Sequence, residues 1–176
     1  IAAMSAAQLN SLSSDVVAAM DTDQIQAISA RQVKGLSTSF MASLESDHVR
    51  ALSTEQIRLL TANQISAMST DSFLSLETED LEALTVGQVA NLSSGIIAAL
   101  STEQVGVLSR AQLLSLNSAQ IQAIETEDLA AMSTDQLGHL RASQLSQLTT
   151  DQVGALTTEQ LGAFGKFQLN SLTTTQ

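Results

Sequence analysis

Two acidic clusters, ETEDLE and ETED, carry the residues of this chain whose type and spacing could bind a metal ion. Calcium takes about six to eight oxygen ligands, so carboxylates stacked along one side of the fold could hold it. Neither cluster has the loop of an EF-hand or the Gly-Asp-rich nonapeptide of a calcium β-roll. The calcium candidates are Glu77, Glu79, Asp80, Glu125, Glu127 and Asp128.

The other residues that could do chemistry lack the partners that catalysis needs. His48 and His139 lie in different sequence contexts, and the chain has no Cys that could join them in a zinc site. Serine is abundant, but no G-x-S-x-G or S-x-x-K motif surrounds it, and no Gly-rich phosphate loop is present. We therefore expect no catalytic residue, no enzyme activity and no cofactor.

Composition limits the class of partner. The net charge of -11 and the pI near 4.3 argue against nucleic acid and anionic membranes, which select basic surfaces. No apolar run approaches the roughly 18 to 20 residues of a membrane span. Aromatic residues make up 2% of the chain, so its core must be aliphatic. We expect the partners to be other copies of the chain or other domains of one long chain.

An eight-residue repeat runs from Ser5 to Leu172 without an insertion or deletion, which gives 21 octads. Positions five and eight are apolar in all 21, and position four is Gln in 14. Eight residues turn a continuous α-helix by about 800°, so its apolar stripe would drift by about 80° per octad and face no single core. In a β-strand, positions five and eight would face opposite sides. The repeat therefore predicts one short helix per octad.

The first half of the octad has the features of a helix N-terminus. In S-T-E-Q, as in Ser53 to Gln56, the Ser hydroxyl accepts from the amide of the third helical residue, and the Gln side chain reaches back to the cap amide. Of the 18 acidic residues, 17 occupy the first four positions, where the helix dipole favours carboxylates. Helices this short must bury positions five and eight against neighbouring octads. We predict an all-α solenoid that forms one continuous domain over residues 1–176.

A longer period divides the octads into two kinds. Acid-free octads with Ala, Arg, Asn, Gly or Lys near their start begin at Ser5, Ser29, Thr61, Thr85, Ser109, Arg141 and Gly165. Their spacing repeats after 80 residues, which we interpret as ten octads in three superhelical turns, or about 3.3 octads per turn. These octads also hold five of the seven basic residues, namely Arg31, Lys34, Arg110, Arg141 and Lys166. One edge of the solenoid should therefore be neutral to weakly basic. It is either a solvated surface or the place where an acidic flank of another copy or partner binds.

The unit [ST]-[ST]-[DE]-Q-[VIL]-x-A-L, seen in STEQVGVL, STDQLGHL and TTDQVGAL, resembles octapeptide arrays in very large bacterial secreted or cell-surface proteins described as adhesin-like or hemolysin-like. The resemblance covers almost the whole chain, although SSDVVAAM and GKFQLNSL depart from the unit. It implies an extended module on the bacterial cell surface or outside the cell, and it transfers no functional residue.

Three functions are consistent with these observations. The first is a stiff spacer in a large extracellular bacterial surface protein, of which these 176 residues would be a fragment of a longer array. The second is a protomer or repeat segment of a self-assembling extracellular filament. The third is a solenoid module that binds a protein or calcium.

Overall fold

The computed structural model of the chain describes residues 1–176 and contains 21 α-helices, one in each octad, and no β-strand. The helices are four to six residues long and form two compact units. Unit 1, Ile1–Leu92, contains α1 Ala6–Asn10, α2 Ser14–Ala18, α3 Thr22–Gln26, α4 Ala30–Val33, α5 Thr38–Ala42, α6 Ser46–Ala51, α7 Thr54–Leu59, α8 Ala62–Ser66, α9 Thr70–Leu74, α10 Thr78–Ala83 and α11 Val86–Ala90. Unit 2, Ser93–Gln176, contains α12 Ser94–Ala99, α13 Thr102–Gly106, α14 Arg110–Ser115, α15 Ser118–Ala123, α16 Thr126–Ala131, α17 Thr134–Gly138, α18 Ala142–Leu145, α19 Thr150–Ala155, α20 Thr158–Gly162 and α21 Lys166–Leu169.

Each helix begins after the first residue of its octad, as the capping pattern predicts. Before α7, the Ser53 hydroxyl accepts from the Gln56 amide at 3.3 Å, and the Gln56 Oε1 atom accepts from the Ser53 amide at 2.6 Å. The helix ends at Leu59, and its C-cap Leu60 has a φ of -62° and a ψ of 142°, which return the chain to an extended conformation. No residue has a positive φ, so the breaks between helices require neither Gly nor Pro.

The two apolar positions of the octad form the core of both units. The position-five residues Ile25, Val49 and Ile121 have no exposed surface, and most position-eight residues are buried almost as fully, whereas Leu12 and Leu172 are half-buried. Near the end of unit 2 the rule fails, since Leu161 is half-buried and Leu169 is 42% exposed. The burial that we expected at position five of every octad is therefore incomplete there.

Successive superhelical turns stack through helices that lie three octads apart. In unit 1, α6 packs between α3 and α9, while in unit 2, α16 packs between α13 and α19. Hydrogen bonds between turns join residues 25 to 31 positions apart, from Asn10 with Gly35 to Gln64 with Val33. Each turn therefore holds between three and four octads, in agreement with the predicted value of about 3.3, and the all-α solenoid is confirmed.

The acid-free octads follow one another from turn to turn within each unit. In unit 1, the Asn10 side chain donates to the Gly35 carbonyl at 2.9 Å, Gln64 donates to Leu36 at 2.8 Å, and α8 packs on α11. In unit 2, the Gln144 side chain donates to Leu116 at 3.2 Å, and α18 packs on α21. These contacts agree with the predicted acid-free edge. None of the helices is long and apolar enough to cross a bilayer.

Candidate functional site

The most regular polar feature of the fold is a row of buried Gln side chains between superhelical turns. In Gln88, which is 3% exposed, Oε1 accepts from the Thr85 amide at 2.6 Å. The Nε2 group of Gln88 donates to the carbonyl oxygens of Ile57 at 2.9 Å and Leu60 at 2.7 Å. One side-chain amide therefore caps its own helix and also bonds that helix to the turn below. We call this arrangement the glutamine clamp.

The glutamine clamp recurs at position four of the octad in both units. Its acceptors are the carbonyls 28 and 31 residues earlier, which belong to positions eight and five of the octad four places before. The same pair of donations is made by Gln32, Gln64, Gln136, Gln144, Gln152 and Gln160. Both ends of these amides are therefore satisfied, as buried polar groups require.

The sequence explains Gln at position four as a cap, and this explanation misses the bond between turns. A signal for that bond was nevertheless present in the sequence. Position four is Gln in 14 octads and never Glu, although Glu completes a capping box as well as Gln does. A carboxylate has no donor for the two carbonyls, whereas an amide supplies two N–H groups. The preference for Gln over Glu therefore favours a donor in most octads, whereas Asp80 and Asp128 occupy this position in two.

Some residues that replace Gln at position four perform the same task with other atoms. His48 is 5% exposed; its Nδ1 accepts from the Glu45 amide at 3.1 Å, and its Nε2 lies 2.9 Å from the Met20 carbonyl oxygen. These contacts fix the tautomer with a proton on Nε2. Ser72 Oγ donates to the Leu44 carbonyl at 2.8 Å. His48 is therefore a buried capping residue.

His139 has a different environment from His48. Its Nδ1 lies 3.6 Å from an Asp135 carboxylate oxygen one helical turn earlier, and the side chain is 30% exposed. The two histidines occupy separate octads and contact no common group, so neither has the neighbours of a zinc or catalytic site.

The calcium candidates are divided between exposed and buried positions. Glu77, Glu79, Glu125 and Glu127 are exposed on α10 and α16 or at their N-caps. Asp80 and Asp128 are each 6% exposed, and Asp128 accepts from the Thr102 hydroxyl at 2.7 Å. No three acidic or His side chains converge in a geometry that could hold a metal ion. The structure therefore does not gather the candidates into one site, and calcium binding stays a prediction.

The concave surfaces are open grooves between neighbouring octads. One groove in unit 1, with a volume of about 480 Å³, runs past Gln26, Arg50, Glu55 and Leu59. A groove of about 310 Å³ in unit 2 is lined by Asn117, Arg141, Gln144 and Gln147. The groove in unit 1 also includes Ser53, whose hydroxyl accepts from the Gln56 amide and is therefore part of a helix cap.

Comparison with known proteins identifies the repeat. The ALTTAQ repeat pattern matches residues 41–76, 73–110 and 121–158, which together make up more than half of the chain. The chain belongs to the ALTTAQ repeat family. The six letters correspond to positions seven, eight and one to four of the octad, as in ALTTEQ at Ala155 to Gln160. A search of curated proteins found no match to the chain.

Proposed function

We propose that this ALTTAQ repeat chain is a stiff spacer, which holds other domains of a large extracellular bacterial surface protein at a distance. The observation that carries the proposal is the glutamine clamp. A spacer must resist bending and extension, and directional bonds between successive turns add to the resistance that apolar packing gives. The paired donations from Gln64, Gln88, Gln144 and Gln152 supply such bonds in both units.

Two further parts of the proposal follow from the same reasoning. The buried polar side chains of the glutamine clamp are committed to structure, which supports a role without a catalytic step. Location at the cell surface is supported by the resemblance of the octad to arrays in secreted proteins. Antibody labelling of intact cells that produce the parent protein tests this location: labelling without permeabilisation is expected, and labelling only after permeabilisation would exclude it.

Force spectroscopy on single molecules tests the mechanical role. The full chain is held between two handles and pulled, and we expect it to resist extension until it opens in discrete steps. The variant Gln88→Glu/Gln152→Glu removes the clamp donor in each unit and should open at a lower force. A chain that extends smoothly like an unfolded polypeptide would contradict the spacer proposal.

A matched control separates loss of the clamp from the added charge. Gln8 and Gln24 also occupy position four, but both are exposed, and their Oε1 atoms accept from the Ser5 and Asp21 amides without a bond to another turn. Gln8→Glu/Gln24→Glu therefore makes the same chemical change and should leave the opening force unchanged. If both double variants weakened the chain equally, the glutamine clamp would not be the source of its stiffness.

A further inference from the structure

Three exposed cations form a column on the acid-free side of unit 2. Arg110 is on α14, Arg141 is the N-cap of α18, and Lys166 begins α21. Their octads stack in consecutive turns through the clamp of Gln144 on Leu113 and Leu116 and through the packing of α18 on α21. None of the three cations forms an ion pair within the chain. We call these residues the basic column.

Three exposed carboxylates form a second column in the same unit. Glu103, Glu127 and Asp151 occupy position three of the octads that contain α13, α16 and α19. The helix α16 packs against both α13 and α19, so these residues also follow one another from turn to turn. Their carboxylates form no ion pair within the chain either. We call these residues the acidic column.

The two columns have similar intervals because one superhelix positions both. The basic column advances by 31 and then 25 residues, and the acidic column advances by 24 residues each time. Each step is close to one superhelical turn, so successive cations and successive carboxylates are both about one turn apart. A second copy that lies alongside in the same orientation therefore brings the three carboxylates near the three cations.

We propose that the basic column is a docking surface for the acidic column of a second copy of this chain, so that copies associate side by side. The proposal does not depend on the spacer function. Consecutive octads lie roughly a third of a turn apart, so the two columns occupy different sides of the unit. The contact is therefore heterologous, and each copy in a pair keeps one free column with which to bind the next.

The electrostatics predict weak association that depends strongly on salt. The net charge of -11 makes two copies repel at long range, but salt at about 0.15 M screens charges beyond about 8 Å. Exposed ion pairs contribute little individually, so three in register give modest affinity that a longer array would multiply. Charge complementarity would determine how two copies align more than how strongly they associate.

Sedimentation of the full chain at about 20 mM and about 300 mM NaCl tests the proposal. The wild type should associate at low salt and dissociate at high salt. The basic-column variant Arg110→Gln/Arg141→Gln/Lys166→Gln and the acidic-column variant Glu103→Gln/Glu127→Gln/Asp151→Asn should each lower the association constant at least about tenfold. The control Arg50→Gln/Arg58→Gln removes two positive charges from octads outside the acid-free edge and should associate as the wild type does.

The acidic-column variant distinguishes docking from general charge repulsion. It removes three negative charges from a chain of net charge -11, so reduced repulsion alone would make it associate more strongly. The proposal requires it to associate less strongly. Far-UV circular dichroism checks that each variant is folded, and Arg110→Lys/Arg141→Lys should retain association because the cations remain. The proposal is overturned if the wild type is monomeric at both salt concentrations, or if the acidic-column variant associates as well as the wild type.

Discussion

A single side chain, Gln at position four, joins helix formation to stacking between turns. Its carbonyl oxygen caps the helix to which it belongs, and its amino group bonds the main chain of the turn below. In a buried site both functions must be satisfied together, because an unpaired polar group costs more than a hydrogen bond contributes. Among the residue types in the octads, only Gln has a side chain that offers an acceptor and two donors and is long enough to bond to the turn below.

The role of the donor predicts the effect of Gln152→Glu. Gln152 is 2% exposed, and its Nε2 donates to the Ile121 and Ile124 carbonyls at 2.9 and 2.7 Å. The carboxylate keeps the cap but places negative charge against two carbonyl oxygens in a buried site. We expect a loss of about 2 to 4 kcal/mol in the free energy of unfolding, measured by urea denaturation.

The control for this prediction is Gln8→Glu. The Gln8 Oε1 atom accepts from the Ser5 amide at 2.8 Å, but the Gln8 side chain is exposed. The free energy of unfolding should change by less than about 0.5 kcal/mol, since the carboxylate stays in water near a helix N-terminus. A large loss in this variant would show that Glu is a poor cap here and that donation between turns is not the reason Gln is required.

His48 provides a test in the opposite direction. Since its two ring nitrogens make the two kinds of contact that Gln makes, His48→Gln should leave the free energy of unfolding within about 1 kcal/mol of the wild type. His48→Ala removes both contacts and leaves a cavity, so we expect a loss of about 2 to 4 kcal/mol in thermal or urea unfolding. Equal losses in the two variants would contradict the equivalence of His and Gln at this position.

At the scale of helices, short elements depend on caps and on close approach between turns. Gly35 follows α4, and a Cβ atom placed there would lie 2.8 Å from the Ala6 side chain. Gly35→Ala should therefore lower the free energy of unfolding by about 1 to 3 kcal/mol through overpacking. Thermal unfolding measures the change, and a variant as stable as the wild type would contradict the close approach of these two octads.

Gly154 is the matched position for this substitution. It lies inside α19, and a Cβ atom there would meet nothing within 4 Å. Gly154→Ala should therefore raise the free energy of unfolding by about 0.5 to 1 kcal/mol, because Ala is a better helix former than Gly. If Gly35→Ala lowers the free energy of unfolding and Gly154→Ala raises it, the two results distinguish the effect of packing between turns from the effect of helix propensity.

The helices could be predicted from sequence because their causes are local. The capping box at Ser53 and Gln56 spans four residues, and the apolar positions are fixed within each octad. The partner of Gln56 lies 28 residues away at Ile28, and its position depends on the size of the superhelical turn. The 80-residue period predicted the size of the turn approximately, but it could not predict which carbonyl oxygen each Gln side chain binds. The burial of Asp80 and Asp128 was also not predicted, because the helix dipole favours an acidic residue near the N-terminus whether its side chain is exposed or buried.

At the scale of the whole molecule, the register of the octads matters more than the number of octads. Deletion of Ser133–Leu140 removes one full octad, and the Gln residues that follow still meet main-chain carbonyls four octads earlier. We expect this variant to keep its helical content per residue and a cooperative thermal transition, measured by far-UV circular dichroism.

Deletion of Ser133–Gln136 removes half an octad and serves as the comparison. Positions five and eight after the deletion are shifted by four residues relative to the turns below, so their burial and the clamp bonds are lost together. We expect loss of helical signal and a lower transition temperature than for the longer deletion. If the longer deletion were the more damaging one, the equivalence of octads in the clamp would be wrong.

The acceptors of the glutamine clamp are main-chain carbonyls, and this has a genetic consequence. A carbonyl is present whatever side chain the octad carries, so a duplicated octad needs no compensating change in the octads that it comes to contact. Unequal recombination and replication slippage in units of 24 nucleotides would therefore yield folded products of different lengths. Insertions that are not a multiple of 24 nucleotides would move the apolar positions out of register with the turns below, so the length of such a gene can change by whole octads while the motif is kept.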